Sequence, residues 1–372
     1  MRRSHFEALK PVCPRCRQTR GVLSPLVLGL VEEEDAAGIR SGTLHCTDPA
    51  CWLEFPIIDG APVLVPDVRG WLAANAHLIT EREDLTPLVE SLLGDGTGPD
   101  SAFNIARQHR SSYAWDHYAD LDPAEPAGPV RPGGVVRCLE AGLRRLDDTP
   151  SARLPGPAID LGCACGRTAF ELAARVDGPV LGIDLNWPLL RVARRALETG
   201  EAVYPRRRVG MVYDRRRYPV RFAGMERVDF WIADAQAPPF ADDAFGFAAA
   251  LNIVDCVASP PALLAALDRL VRPGGAAVLA TPFDWSTGAT PVEAWLGGHS
   301  QRGPQDGSSE TMLRLLTTPG AHPQSTRRLA PLGGPVEVDW AVRLHERSAM
   351  LYRAHVVVLE SARHPPDGHV MN

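Results

Sequence analysis

The sequence predicts an α/β fold with a small β-rich module at its N-terminus, and three observations carry this. Ala158-Ile-Asp-Leu161 is a short apolar strand that runs into a glycine-rich turn; a helix over Thr168 to Arg175 then leads to a second apolar strand, Val180-Leu-Gly-Ile-Asp184. Apolar runs at Val228 to Ala233, Phe245 to Asn252 and Ala276 to Ala280 follow, separated by helical or breaker segments, as in βαβ folds. Near the start, Cys13-Pro-Arg-Cys16 and Cys46-Thr-Asp-Pro-Ala-Cys51 bracket a β-rich stretch.

The glycine turn, Asp160-Leu-Gly-Cys-Ala-Cys-Gly166, is built to hold a nucleoside. Gly162 and Gly166 let the backbone approach a ligand closely, and the following helix aims its first N–H groups at a polar ligand group. Asp184, at the tip of the second strand, is placed to accept hydrogen bonds from a ribose diol. A pyrophosphate site wants G-x-G-x-x-G after the strand. Here an acid precedes the first glycine instead, which repels pyrophosphate and suits a cationic amino-acid end. Cys163 and Cys165 are read as small turn residues lining the pocket.

This turn resembles motif I of the class I S-adenosylmethionine (SAM) methyltransferases, and the downstream order resembles theirs too. Val228-Asp-Phe-Trp-Ile-Ala-Asp234-Ala235 is similar to the third strand, ending in the acid that reads adenine. Phe245 to Asn252 is similar to the fourth strand, Leu263 to Val271 to a helix stopped by Arg272-Pro-Gly-Gly275, and Ala276 to Ala280 to the fifth strand. The resemblance implies a Rossmann-like fold with a seven-stranded sheet. It also implies SAM as cofactor, held by Asp160, Gly162, Cys163, Gly166, Asp184, Leu185, Asp234, Ala235 and Asn252.

Composition sets bounds. The chain has 372 residues, 45% of them hydrophobic and 23% charged, enough for two domains in an ordinary globular protein. No apolar run is long enough to span a bilayer, and Met1-Arg-Arg-Ser-His-Phe lacks the apolar core of a signal peptide. A cytoplasmic protein without membrane contact is expected. A net charge of −6 argues against a general nucleic-acid binder. Lys10 is the only lysine, and with 34 prolines and 33 glycines this points to genome composition rather than function.

Eight cysteines in such a chain point to metal or packing, not to disulfides. Cys13, Cys16, Cys46 and Cys51 have the layout of a four-thiolate zinc ribbon; four structural cysteines without metal are the alternative. His45 is an alternate ligand, although adjacent side chains do not easily reach one ion. With Phe55-Pro-Ile-Ile-Asp-Gly-Ala-Pro-Val-Leu-Val-Pro66, the module resembles the small zinc-ribbon proteins that activate partner methyltransferases acting on tRNA, rRNA and release factors. That resemblance implies structural Zn²⁺ and leaves room for a partner protein at the ribbon. Cys138 and Cys256 sit in apolar helical contexts and are expected in the core.

Three domains are expected: a zinc-ribbon module at 1–67, a helical connector and lid at 68–130, and the methyltransferase domain at 131–372. Within the connector, one helix is expected from Val68 to Leu93, then a hinge at Gly94-Asp-Gly-Thr-Gly-Pro99. A His-, Tyr- and Arg-rich helix over Ser101 to Tyr118 and a proline-rich connector over Asp120 to Gly134 complete it. Two arginine triplets, Arg206 to Arg208 and Arg215 to Arg217, flank Val209 to Asp214. They read either as a solvated charged face or as a basic hairpin for RNA or an acidic peptide.

The stretch from Arg227 to Gly298, with Trp340 to Arg347 and Tyr352 to His355, resembles the methyltransferase domain of the ovothiol biosynthesis enzyme. That domain methylates an imidazole nitrogen of a mercaptohistidine. The motifs are Arg-Val-x-Phe-Trp from Arg227, Ala-x-Asn-x-x-Asp over Ala250 to Asp255, and the segment from Thr290 to Gly298. The family's iron-dependent domains are absent and a ribbon stands in their place, so the exact substrate does not transfer. For an imidazole acceptor, a carboxylate or histidine can orient the ring N–H and take the proton. Asp255, Asp284 and His345 are the candidates, with Arg343 to pair a substrate carboxylate and Trp285 and Trp295 to stack on the ring. Each also has a structural reading. The expected function is SAM-dependent N-methylation of an imidazole or similar nitrogen in a small molecule or peptide. An RNA or ribosomal-factor methyltransferase and a non-catalytic SAM-binding scaffold are the alternatives. The former is weakened by Leu251-Asn-Ile-Val, which stands where Asn-Pro-Pro-Tyr marks the glutamine and adenine N-methyltransferases.

Overall fold

A computed structural model of the chain describes residues 1–146, 154–303 and 307–362. The elements run α1 (Arg3–Leu9), α2 (Pro14–Arg20), β1 (Leu26–Asp35), β2 (Gly38–Cys46), β3 (Glu54–Ile58), β4 (Ala61–Leu64), α3 (Val68–Ile79), α4 (Pro87–Thr97) and α5 (Ala102–Tyr118). Then come α6 (Gly134–Leu146), β5 (Ala158–Leu161), α7 (Arg167–Ala173), β6 (Val180–Asp184), α8 (Trp187–Thr199), β7 (Glu201–Val209), β8 (Val212–Pro219) and β9 (Val228–Ala233). The chain continues through β10 (Phe245–Leu251), α9 (Pro260–Leu270), β11 (Val271–Thr281), α10 (Ser309–Thr317), β12 (Leu329–Pro331), β13 (Val336–His345) and β14 (Ser348–Ser361).

The expected seven-stranded sheet is corrected to one of 12 strands, ordered β1-β2-β3-β4-β9-β6-β5-β10-β11-β14-β12 with β13 pairing β14. The five strands read from the sequence are β9, β6, β5, β10 and β11, and β14 and β13 complete seven. The first five are parallel and β14 runs against them. The extra strands come from the ribbon and from β12. β1 to β4 pair in sequence as an antiparallel meander. β4 then pairs in parallel with β9, Val63 opposite Ile232 and Leu64 opposite Ala233. Every residue of β4 is buried, as in a strand covered on both faces, so this apolar run lies inside the large sheet. β9 and β10 are likewise buried at every position. The 1–67 boundary falls in the link between β4 and α3, but the sheet crosses it.

The single helix expected over Val68 to Leu93 is broken. α3 ends at Ile79, and α4 restarts at Pro87 with Thr86 as its cap, the Thr86 hydroxyl accepting the Val89 N–H. Proline has no N–H to give and suits the first helical position. α4 runs on through Gly94 and Gly96 to Thr97, so the proposed hinge is helical for two thirds of its length. A Cβ on Gly94 would lie 2.7 Å from an Arg107 guanidinium nitrogen, which would have to shift. α5 begins behind the Ser101 cap as expected and packs across β7, β13 and α8.

Candidate cofactor and acceptor site

β5, β6, β9 and β10 end on one edge of the sheet, and the loops that follow enclose a cavity of about 430 Å³, a usual size for a small-molecule site. Gly162, Asp184, Leu185, Asp234, Ala235 and Asn252 line it, while Asp160, Cys163 and Gly166 do not. Gly162 has φ +72°, and a Cβ there would strike Ile253 at 2.4 Å. Gly166 serves packing: at φ +83°, its Cβ would meet Ala193 and Phe230 at 2.6 Å, so it lets α7 start close against α8 and β9. Cys163 and Cys165 are buried behind the turn.

Asp184 holds the turn in shape. Its Oδ2 accepts the Ala164 N–H at 2.8 Å and its Oδ1 the Asn186 N–H at 2.7 Å. Each oxygen keeps a lone pair for a ligand. Asp160 is buried beneath, and its Oδ2 has no hydrogen-bond partner. Burial, then the charge of Asp184, pushes its carboxyl up to about 8. Asn252 sits at φ +56° with both side-chain polar atoms unpartnered. Asp234 closes an Asx turn, its Oδ1 accepting the Gln236 N–H at 2.8 Å. These groups fit SAM. The unpaired Asp160 and Asn252 atoms suit the amino-acid end, the Asp184 lone pairs a ribose diol, and Asp234 with Ala235 an adenine edge.

Beyond this cavity lies an acidic, aromatic region. Asp255 and Asp284 come together: the buried Asp255 accepts the Asp284 N–H on Oδ2 at 2.7 Å. Burial, opposed by hydrogen bonds and reinforced by Asp284, holds the Asp255 carboxyl up at about 6. Trp285 and Trp295 stack on each other, ring centres 6.0 Å apart and planes 16° apart. Cys256, expected in the core, is exposed and lines the cavity; the 3₁₀ turn Val254–Cys256 that follows β10 carries it outward. Arg343 and His345 do not line the cavity. Arg343 is buried against Trp115, its guanidinium 5.9 Å from the ring centre, and donates to the Arg207 carbonyl at 3.4 Å. His345 accepts the Arg347 N–H at 3.2 Å in the β13–β14 turn.

α5 supplies contacts that sequence reasoning left unassigned. Tyr113 lines the cavity. One turn on, the Tyr118 hydroxyl donates to the Cys165 carbonyl at 2.6 Å, and His117 Nδ1 accepts the Arg167 N–H at 3.2 Å. Both bonds clamp the glycine turn. Burial, then the Arg167 charge, pushes His117 down to about 3, which keeps it a neutral acceptor. Its His- and Tyr-rich composition was the available signal.

The four ribbon cysteines gather, their Sγ atoms all within 4.8 Å of one another. Cys13 to Cys51 measures 3.8 Å and Cys16 to Cys46 3.6 Å. A tetrahedron with metal–sulfur bonds near 2.3 Å has edges of about 3.8 Å, so these thiols could hold one metal ion. His45 turns away and bonds Thr43 at 2.9 Å. The first knuckle also touches the loop that follows Asp234: Val12 N–H donates to Pro239 O at 2.8 Å, and Arg17 bonds the Phe240 carbonyl and, at 2.6 Å, Asp242.

The arginine triplets lie on the β7–β8 hairpin, facing carboxylates. Arg206 meets Glu125 and Glu346 at 3.2 Å each, Arg215 meets Glu90 at 2.6 Å, and Arg216 grips the buried Asp122 through both oxygens. Arg208 and Arg217 pair more loosely with Glu346 and Glu201. Among the described residues, Arg207 alone of the six has no acidic partner and bonds the Gly210 carbonyl.

Part of the chain is similar in sequence to known methyltransferases. Residues 159–279 match a family profile described as a methyltransferase domain. Methyltransferase GfsG of Streptomyces halstedii is 28% identical over 167 residues, 45% of this chain and 48% of its own. The ubiquinone biosynthesis O-methyltransferase of Dinoroseobacter shibae is 25% identical over 237 residues, 61% of this chain and 84% of its own. A solved SAM-dependent methyltransferase from Methanosarcina mazei superposes with a TM-score of 0.37 at 18% identity, covering 57% of this chain and 94% of that one. The chain spans about half the length of the first of these relatives.

Proposed function

We propose, from the SAM-dependent methyltransferase domain at residues 159–279, that the whole chain transfers a methyl group from SAM to a nitrogen of a small molecule or peptide side chain, an imidazole or a similar base. The observation that carries this reading is the cavity lined by Asp184 and by Asn252, whose side-chain polar atoms are both unpartnered, with the unpartnered Asp160 Oδ2 buried beneath the turn. When bound, SAM supplies an electrophilic methyl on a sulfonium, whose sulfur keeps the bonding pair as the new nitrogen–carbon bond forms. Asp184 orients the ribose and Asp160 the ammonium end. Tyr113 and Cys256 border the path to the acceptor. A neutral imidazole nitrogen needs no activation near neutral pH, so the protein's tasks are alignment and exclusion of water. Afterwards the methylated ring carries one N–H too many, and Asp255, held up at about 6, is poised to take that proton.

Zinc at Cys13, Cys16, Cys46 and Cys51 belongs to the same proposal, with a structural role. The RNA reading is not carried forward, because five of the six hairpin arginines that motivated it together with the ribbon's relatives pair with carboxylates of this chain. The test is methyl transfer from labelled SAM to histidine derivatives, a peptide library and total RNA. Label in RNA alone reverses the choice, and label in none of the three sinks the catalytic reading in favour of a SAM-binding scaffold.

A further inference from the structure

Tyr352, on β14, was named in sequence only as part of the Tyr352 to His355 segment, with no role of its own. Its hydroxyl donates to Asp284 Oδ2 at 2.8 Å, with the Met350 sulfur a weaker alternative at 3.4 Å. The phenol ring rests against the buried Trp340, centres 5.7 Å apart. Burial and the Asp284 carboxylate both push the phenol up, so it stays a donor. Asp284 is therefore held at two points, through its N–H by Asp255 and through Oδ2 by Tyr352. Its Oδ1 takes no hydrogen bond from the described residues, and the residue as a whole is exposed.

The charge around this pair is unusual for the chain. Asp122, Glu125 and Glu90 each meet an arginine. Among the described residues, no basic group forms an ion pair with Asp255 or Asp284, and the charged groups acting most on Asp255 and Tyr352 are Asp284, Tyr113 and Asp255. Phe283 and Trp285, ring centres 6.5 Å apart, flank Asp284 in sequence and add an aromatic wall, which suits a cation as well as a flat ring. Arg343, expected to hold a substrate carboxylate, is buried elsewhere.

We infer that Tyr352 is a positioning residue whose hydroxyl fixes Asp284 so that Oδ1 receives an N–H of a positively charged acceptor, and that these carboxylates select cationic nitrogen compounds over anionic ones. The nitrogen that takes the methyl keeps its lone pair, and the charge sits on another group of the same molecule, as in an imidazole bearing an ammonium arm. The inference rests on the nitrogen-acceptor reading above but is tested by binding alone.

The probes are histamine and imidazole-4-propionate, titrated calorimetrically into the full chain saturated with S-adenosylhomocysteine. Histamine is expected to bind at least about tenfold more tightly. Asp284→Asn is expected to bring the ratio near one with S-adenosylhomocysteine affinity unchanged. Tyr352→Phe is expected to reduce it several-fold at unaltered melting temperature, and Tyr352→His, which restores a donor, to recover part of it. A merely structural tyrosine would lower the melting temperature and leave the ratio alone. Equal affinities, tighter binding of the propionate, a ratio indifferent to Asp284→Asn, or no binding of either probe overturns the inference. If methyl transfer occurs only to acceptors with a free carboxylate, the selectivity is wrong and the methyltransferase reading stands. Selective histamine binding without transfer to any nitrogen base would do the reverse.

Discussion

Replacing Asp184 with alanine tests the cofactor site most directly. Each carboxylate oxygen already accepts one backbone N–H, from Ala164 at 2.8 Å and Asn186 at 2.7 Å, and each has one lone pair left for a ribose hydroxyl. Hydrogen bonds to a charged group contribute about 1.5–3 kcal/mol each. Two lost ribose bonds, less what water restores in the gap, come to about 3 kcal/mol, or somewhat over a hundredfold in Kd. The variant also strips two N–H groups of their acceptor, which costs about 1–2 kcal/mol of stability before any cofactor is added. Asp184→Asn separates the effects, since its one remaining carbonyl oxygen serves one N–H and keeps one ribose contact. Calorimetry with S-adenosylhomocysteine reads affinity, and thermal denaturation of the free protein reads the turn. A Kd within about threefold of wild type would refute the ribose assignment, whatever happened to the melting temperature.

Other expectations follow from the same contacts. The Asp160 carboxyl stands at about 8 in the folded chain against a usual 3.8, so between those values the native state holds a proton that the unfolded chain has released. Stability should therefore fall as pH rises through that window, and Asp160→Asn should flatten the slope in pH-dependent melting curves. A cofactor ammonium favours the charged carboxylate, so SAM binding at pH 7 should release protons; calorimetry in buffers of different ionisation enthalpy that finds none contradicts the assignment. Purified protein should carry about one zinc per chain. Cys16→Ser should lower both the melting temperature and SAM affinity, because the first knuckle holds the Pro239–Asp242 loop; metal analysis and calorimetry check the two halves separately. Arg216→Ala leaves the buried Asp122 unpaired and should cost about 3 kcal/mol in chemical denaturation, with RNA retention in a filter assay unaffected. Tyr118→Phe, which frees the Cys165 carbonyl, should cost about 1 kcal/mol and raise the SAM Kd in parallel.

The parallel core was legible because its signals are local. A strand, a glycine turn and a terminal acid lie within a few residues of one another, and Gly162, Asp184, Asp234 and Asn252 line one cavity. Ser259, a serine before two prolines, was an equally local cap that moved the start of α9 back to Pro260. What stayed hidden depends on pairing across the chain. Nothing near Val63 shows that it will lie opposite Ile232, nor do the arginine triplets reveal that Glu90, Asp122 and Glu125 will meet them. Tyr352 and Asp284 are separated by most of the C-terminal third, and only the β11–β14 pairing brings them together. Arg343 and His345 were named from a stretch of sequence, and the β13 register turned them to other work.

The parallel pairing of β4 with β9 also decides how this protein can be shortened. Cutting the chain after the ribbon, at the natural-looking link before α3, would remove the strand that pairs β9 at Ile232 and Ala233 and the Arg2 contacts to Val228 and Asp229, baring that edge of a strand whose side chains are buried throughout. Such an edge is a template for another molecule's strand. A fragment beginning at residue 68 should accordingly go into inclusion bodies or form soluble aggregates, and supplying residues 1–67 as a separate polypeptide during expression should rescue it.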